Sequence, residues 1–370
     1  MKVALVYDRV NKFGGAERVL LMLHQLFPDA PLYTLVYDKE KAKWASEINV
    51  VPTFLNKLPF LRNKHELLAP ISPLAFETHD LSRYEVVISI TSSDSKSVIT
   101  RPDTLHICYC LTPTRYYWSG EEGYGQDIKM KLLPGMIKKY LRTVDLLTSQ
   151  RPDEYIAISN EVSRRIKKYY LTDSHIVYPS IEDKFYTDSP LKKDARKYYL
   201  IVSRLVPYKK VDLAIKAFNF LQKRLIIVGT GSEVDKLKKM AMDNIEFVGS
   251  VTDEELIKYY SKAKAVIFPQ DEDFGLVPLE AQACGTPVIA YAKGGALETV
   301  EEGKTGLFFG EQTEDSLIEA VKKFEELEIN YFDCVDQAKK FSQSKFMDNF
   351  SGKVAELWQK HQAKIKHPRS

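Results

Sequence analysis

Short apolar runs that do not alternate with polar residues recur along this chain, and helical patterns separate them. In the first half they are Val3–Tyr7, Val86–Ile90, Leu105–Cys110 and Tyr155–Ser159. In the second they are Leu200–Ser203, Leu225–Gly229, Ile245–Gly249, Ala265–Pro269 and Pro287–Tyr291. A continuous run of this length predicts a parallel strand buried on both faces, because a half-exposed strand alternates. Helical patterns cover Ala16–Phe27, Val211–Phe220, Glu233–Ala241 and Glu254–Lys262. Each half therefore opens as strand, loop, helix, the start of a βαβ unit. The pattern predicts an α/β chain of two Rossmann-like, doubly wound domains. Its 370 residues suffice for two domains of roughly 150 residues each. Pro, Ser and Asp gather at Pro179–Asp194, so the expected domains are 1–188 and 189–345. Between residues 40 and 80, Pro52, Pro59, Pro70 and Pro73 break the pattern. Open parallel sheets bind ligands at the carboxyl ends of their strands, so two such domains facing each other would form a central cleft.

Charge narrows the partners. A net charge of +3 is too small to argue for nucleic acid. One segment departs from the average: Lys129–Arg142 carries five basic residues and no acidic one, interleaved with Leu, Met and Ile. It reads either as contact with an anionic membrane surface or as a solvated helix flank interrupted by Pro134-Gly135. The opening MKVALVYDRV lacks the long apolar stretch of a signal peptide, and no segment approaches the ~20 apolar residues that cross a bilayer. The four cysteines, Cys108, Cys110, Cys284 and Cys334, form no CxxC pair. These features predict a cytoplasmic chain.

Three features converge on an anionic ligand. Gly14-Gly15 precedes a helix, where backbone can approach a phosphate and free N–H groups favour negative charge; a plain tight turn is the alternative. Arg204 and Lys209 follow the Leu200–Ser203 run on a loop with Pro207, and could meet on a diphosphate or belong, with Lys210, to a solvated basic loop. The segment Glu272-Asp-Phe-Gly-Leu-Val-Pro-Leu-Glu280 follows AVIFP directly. Its two glutamates can grip hydroxyls while the N–H groups of Gly275–Val277 face a phosphate. Glu280 is read as opening a helical stretch, where its plainer role is to complement the helix dipole.

Together, the E-x7-E pattern with its Phe274-Gly275 turn, the Arg204–Lys209 pair and the early Gly14-Gly15 resemble family 4 glycosyltransferases, which have the GT-B fold. The likeness covers nearly the whole chain and is strongest from Ile201 to Gly306. Within the family, SRLVPYKKVDLAI, EDFGLVPLEAQACGTPVIAYAKGGALETV and the HICYC segment are similar to mannosyltransferases of bacterial polysaccharide assembly. The resemblance implies a retaining transferase, with mannose from GDP-mannose as the favoured donor and a glycan or lipid-linked acceptor. It implies a last helix, 346–370, that returns to the first domain. Arg204 and Lys209 would neutralise the departing diphosphate, and Glu272 would hydrogen-bond the transferred sugar. Phe274, Gly275, Leu276 and Val277 would offer backbone N–H groups, Glu280 would hold the ribose, and Gly14 and Gly15 would cap the diphosphate. Val248-Gly249 would bracket the nucleobase. No cofactor and no metal are expected beyond the nucleotide-sugar co-substrate.

One position departs from the family. Leu111 stands where many relatives have a histidine that contacts the donor sugar, and leucine forms no hydrogen bond. Thr112, Arg115 or Tyr116 could substitute; His106 is expected inside the strand. Two other readings follow: a non-catalytic nucleotide-sugar-binding subunit, or a nucleotide-sugar epimerase of the same fold, for which no catalytic acid stands out. Asp271-Glu272-Asp273 matches a metal-binding D-x-D string but overlaps the E-x7-E motif. Gly229-Thr230-Gly231 lacks the third glycine of a dinucleotide fingerprint and reads as an ordinary turn. Tyr116, Tyr117 and Trp118 could stack on a sugar or pack in the core.

Overall fold

The computed structural model describes residues 1–58, 68–118 and 135–366. Pro59 and the Lys129–Pro134 part of the basic segment lie outside the described residues, as does the side chain of Tyr116. The chain divides into two compact units, one of Met1–Pro179 with Phe346–Ser370, the other of Ser180–Lys345.

The first unit holds a parallel sheet ordered β3-β2-β1-β4-β5-β6-β7. Its strands are β1 Val3–Tyr7, β2 Leu32–Thr34, β3 Val50–Pro52, β4 Val86–Thr91, β5 Leu105–Cys110, β6 Glu154–Ala157 and β7 His175–Ile176. Every residue of β1, β4 and β5 is buried, as their unbroken apolar runs require. Between residues 40 and 80, where prolines break the pattern, the described elements are short: the edge strand β3, 3₁₀ turns at Lys43–Ala45 and Phe54–Lys57, and the Ser72–Glu77 helix. The Gln343–Lys366 helix brings Phe346 and Phe350 against Tyr109 of β5, the Phe350 ring edge-on at 5.1 Å. The Tyr109 hydroxyl donates to Val177 O at 2.9 Å.

The second unit holds a parallel sheet ordered β10-β9-β8-β11-β12-β13. Its strands are β8 Tyr198–Val202, β9 Leu225–Val228, β10 Ile245–Gly249, β11 Ala263–Phe268, β12 Val288–Tyr291 and β13 Gly306–Phe309. Ile201, Ile227, Ile267 and Ile289 from four of these strands join Leu213 and Phe218 of the Val211–Leu221 helix in one core. The boundary falls at Pro179, earlier than the expected 188. Residues 180–188 are tied to the second unit: Thr187 N donates to Ala283 O, the Tyr186 hydroxyl to Ala338 O, and Cys284 Sγ to Phe185 O. The second unit ends at Lys345, and Phe346–Ser370 belongs to the first unit.

Candidate active site

In the second sheet, β9 and β10 lie to one side of β8 while β11, β12 and β13 lie to the other. The loops leaving β8 and β11 therefore run apart, and the crevice between them at the strands' carboxyl ends is where ligands bind in open α/β sheets. Both strong sequence motifs map there: Arg204 and Lys209 follow β8, and Glu272 to Gly275 follow β11.

Glycines fix each loop. Gly229 has φ +136°, and a β-carbon there would sit 1.9 Å from Ser203 O; one at Gly231 would sit 2.2 Å from Leu205 O. Gly229-Thr230-Gly231 is thus the place where the turn after β9 presses on the loop after β8, and Leu205 N donates to Thr230 O at 2.8 Å. The Pro207–Lys209 turn then aims Lys209 across the crevice.

After β11 the chain makes a left-handed turn at Gly275, φ +93°, and enters the Leu276–Ala283 helix. A side chain would be strained in that conformation. No side chain caps the helix start. The N–H groups of its first turn have no partner within the helix, as at any helix N-terminus. The turn is clamped from behind by Gly294-Gly295. A β-carbon on Gly295 would lie 2.2 Å from Phe274 backbone atoms, and Gly295 N donates to Glu272 O at 2.8 Å. Phe274 itself is buried, edge-on to Phe341 at 5.7 Å. Asp271 faces Lys293 at 3.5 Å. Among the described residues no His, Cys, Asp and Glu cluster has metal-ligand geometry.

The charged residues meet as ion pairs and hydrogen bonds. Lys209 Nζ pairs with Glu272 Oε1, both largely buried. Arg204 Nη2 donates to the Tyr208 hydroxyl at 2.6 Å, and the Lys209 ammonium lies 5.2 Å from the centre of the same ring. One carboxylate, two cations and a phenol thus share the switch point, a set that can hold a phosphate beside a hydroxyl-bearing group.

Glu280 corrects an expectation. The helix begins at Leu276, so Glu280 stands a full turn inside it and is not positioned to offset the dipole at its start. It is buried, and Oε2 accepts from the Tyr260 hydroxyl at 2.9 Å. A carboxylate offers about four lone-pair sites, so it can accept from hydroxyls besides this phenol. Val248-Gly249 ends β10, two strands from β8 on the same sheet edge. Gly249 has φ +85°, with open space where a β-carbon would be, and its carbonyl accepts from Gly229 N at 2.8 Å.

In the first unit, Gly14 caps the Gly15–Leu26 helix. Its first turn already holds a carboxylate, since Glu17 is buried there and accepts from the Tyr7 hydroxyl at 2.6 Å. That acid tempers the pull of the helix start on an anion. Asp8, just past β1, gathers the loop after β4: it accepts from Ser92 N at 2.7 Å, Ser95 N at 2.9 Å and Asp94 N at 3.1 Å. Leu111 is buried at the end of β5, and its N–H donates to Thr91 O at 2.8 Å. His106 is buried inside β5 against Ser89 Oγ at 2.9 Å, and burial lowers its pKa to about 3. Tyr117 packs in the interior, while Trp118 stacks on Tyr169 and donates to Asp145 Oδ2 at 2.6 Å.

The sequence pointed to neither Tyr260 nor Tyr208, and it gave no role to Gly294-Gly295 although that pair stands out after PVIAY. Asp8 and Glu17 were equally unmarked, being single acids in ordinary contexts.

Comparison with known proteins agrees with the second unit's geometry. Residues 182–341, nearly the whole of that unit, match the family described as glycosyl transferases group 1. The GDP-mannose-dependent alpha-(1-6)-phosphatidylinositol monomannoside mannosyltransferase of Mycobacterium tuberculosis is 29% identical over 227 residues, covering 54% of this chain and 58% of that protein. The O-antigen chain mannosyltransferase RfbU of Salmonella typhimurium is 29% identical over 202 residues, covering 51% and 56%. The chain thus spans rather more than half the length of the curated relatives it matches. Among solved structures, HepE of Anabaena in complex with UDP superposes with a TM-score of 0.70 at 18% identity, covering 96% of this chain and all of that one. These likenesses, with two parallel doubly wound sheets, identify the fold as GT-B.

Proposed function

We propose that this chain, a glycosyltransferase of the GT-B fold resembling bacterial mannosyltransferases, moves a hexose from a nucleotide sugar to a glycan or lipid-linked acceptor with retention of anomeric configuration. GDP-mannose is the favoured donor because the printed names of similar mannosyltransferases specify it. The observation that carries the reading is the meeting of Lys209 and Glu272, from the loops after β8 and β11, at the sheet's switch point.

The reaction breaks the bond between the sugar's anomeric carbon and the diphosphate oxygen. Negative charge grows on the leaving diphosphate, where Arg204, Lys209 and the N–H groups of Gly275–Val277 stabilise it. Positive charge grows on the sugar ring, and Glu272 hydrogen-bonds its hydroxyls. The acceptor hydroxyl attacks from the face the diphosphate leaves, and its proton passes to the departing phosphate oxygen. Glu280 holds the ribose, and the Val248-Gly249 turn brackets the base. Two cations balance the diphosphate, so no metal is required. The reaction takes place in the cytoplasm, at the inner face of the membrane when the acceptor is lipid-linked.

The test is nucleotide release, read by mass spectrometry, from GDP-, UDP- and ADP-sugars with a bacterial lipid extract as acceptor source, with and without EDTA. Release from GDP-mannose that ignores EDTA and disappears in Glu272→Ala supports the reading. Release from a different donor overturns the choice of sugar, and loss in EDTA overturns metal independence. Silence in the parent that ends in Leu111→His would mark a non-catalytic binding subunit.

A further inference from the structure

Two aromatic rings meet at the surface of the first unit, beyond the carboxyl ends of β1 and β2. A parallel bridge between Val10 and Tyr37 extends the pairing of these strands, with Val10 N donating to Val36 O at 2.9 Å and Asp38 N to Val10 O at 2.8 Å. That bridge brings the loop after β1, which carries Phe13, beside the loop after β2, whose Lys43–Ala45 turn carries Trp44. The two ring centres lie 6.2 Å apart, with their planes tilted by 52°. Trp44 Nε1 donates to Lys12 O at 2.8 Å, which engages the indole's one donor and fixes the ring. The Arg18 guanidinium lies 5.3 Å from the centre of the Phe13 ring, at the place where a staple residue packs on a helix start. Even with that contact, Phe13 is 49% exposed. An aromatic pair is thus held in place on the ligand-binding edge of a parallel sheet.

We propose that Phe13 and Trp44 form a stacking platform for a sugar ring of the acceptor, with Arg18 hydrogen-bonding hydroxyls at its side. A pyranose has a face dense in C–H groups and a rim of hydroxyls. The C–H face packs on aromatic rings, whose π-faces carry negative charge, while the rim needs polar partners. Arg18 brings N–H donors to the platform's side, and an indole already fixed by Lys12 O loses little freedom on binding. A purely apolar partner fits less well, because it would strip water from the exposed Lys12 and Lys43 beside the rings. The platform rests on the transfer reading in one respect, that the acceptor contains sugar, and it names two residues that select that acceptor.

The test is saturation-transfer difference NMR on the full chain with mannobiose, maltose and lactose, in the absence of donor. The expected result is transfer from aromatic protons to the ring C–H protons of at least one disaccharide. Phe13→Ala should cut that signal at least about threefold while the urea unfolding midpoint stays put, since the ring is exposed. Trp44→Ala should cut it as much, whereas Trp44→Phe, which keeps a ring and gives up the bond to Lys12 O, should retain most of it. If Trp44→Ala fails to fold, Phe13→Ala and Trp44→Phe carry the test. In turnover with a bacterial lipid extract, Phe13→Ala should raise the amount of extract needed for half-maximal rate by about tenfold, with the KM for donor unchanged. No transfer to any disaccharide, a signal that survives Phe13→Ala, or a Trp44→Phe loss equal to that of Trp44→Ala overturns the platform. Intact saturation transfer without turnover from any donor would instead strike the proposed reaction and leave the platform standing.

Discussion

Lys209 and Glu272 stand 63 residues apart in sequence and form an ion pair where the loops after β8 and β11 diverge. If this pair holds the two ends of a sugar diphosphate, its members fail differently. Lys209→Ala should weaken nucleoside diphosphate binding by about tenfold or more, the worth of one charge-assisted contact. Glu272→Ala should leave that affinity within about threefold and lower kcat by about a hundredfold, because its contact is to the reacting sugar. Calorimetry with the diphosphate and turnover with the donor separate the two. Equal losses of affinity in both variants would sink the division of roles.

The Gly295 contact with Phe274 makes a prediction that involves no charge. A methyl group at Gly295 meets Phe274 backbone at 2.2 Å and must displace the turn that carries Glu272. Gly295→Ala is expected to reduce turnover as severely as Glu272→Ala and to cost on the order of 2 kcal/mol of stability through overpacking. Gly303→Ala is the control: it meets only conformational strain, since open space surrounds its β-carbon position. Wild-type turnover in Gly295→Ala would show that the clamp does not position the site.

The Tyr260–Glu280 hydrogen bond supplies a third prediction. Glu280→Gln should weaken binding of a ribonucleotide by about tenfold, and Tyr260→Phe by about threefold, through loss of charge-assisted bonds. Neither change should matter for a 2′,3′-dideoxyribose nucleotide if Glu280 holds the ribose. A loss that is the same for both nucleotides would assign Glu280 to packing alone.

The strands and the two strongest motifs were legible because each is local: continuous apolar runs predict buried parallel strands, and Arg204, Lys209 and Glu272 sit just beyond strand ends. What the residues hid depends on distant partners. The Leu276–Ala283 helix begins earlier than the sequence suggested, since Pro278 and Phe274-Gly275 obscure its start. Tyr260 gains its role only by folding against Glu280. The Ser180–Asp188 stretch looks like linker by composition, but hydrogen bonds to Ala283 and Ala338 make it part of the second unit.

Buried in the first unit, Lys96 Nζ donates to Asp145 Oδ1 at 2.6 Å, and the same carboxylate accepts from Thr114 Oγ1 and Trp118 Nε1. Lys96→Met leaves the Asp145 charge without its cation and should cost about 3–5 kcal/mol in urea unfolding. Adding Asp145→Leu should return part of that loss, because no charge then remains to be compensated. A double variant no better than the single one would contradict this account.

Acid should weaken the fold through its histidines. Burial lowers the pKa of His106 to about 3 and that of His79 to about 4, so both stay neutral in the fold while the unfolded chain protonates below 6.5. Their contribution is present above that value and is lost as pH falls. At a pH of about 5 the loss is roughly 2 kcal/mol per histidine. Asp94 acts oppositely: burial raises its pKa to about 6, so protonation returns about 1 kcal/mol over the same range. The urea midpoint should fall between neutral pH and about 5, and His79→Phe should remove roughly half of the histidine contribution. A midpoint that rises on acidification would mean that Asp94 outweighs both histidines.

The packing of Phe346 and Phe350 on Tyr109 has a consequence for how the chain comes into being. A ribosome delivers Tyr109 before the second unit and the two phenylalanines after it. The nascent first unit must therefore wait, with that patch of β5 uncovered, while the whole second unit emerges. Ser180–Lys345 is contiguous and can close its own core first. The unit that begins second is then the first to finish, and a chain broken off before Phe346 leaves the first unit, not the second, without its cover.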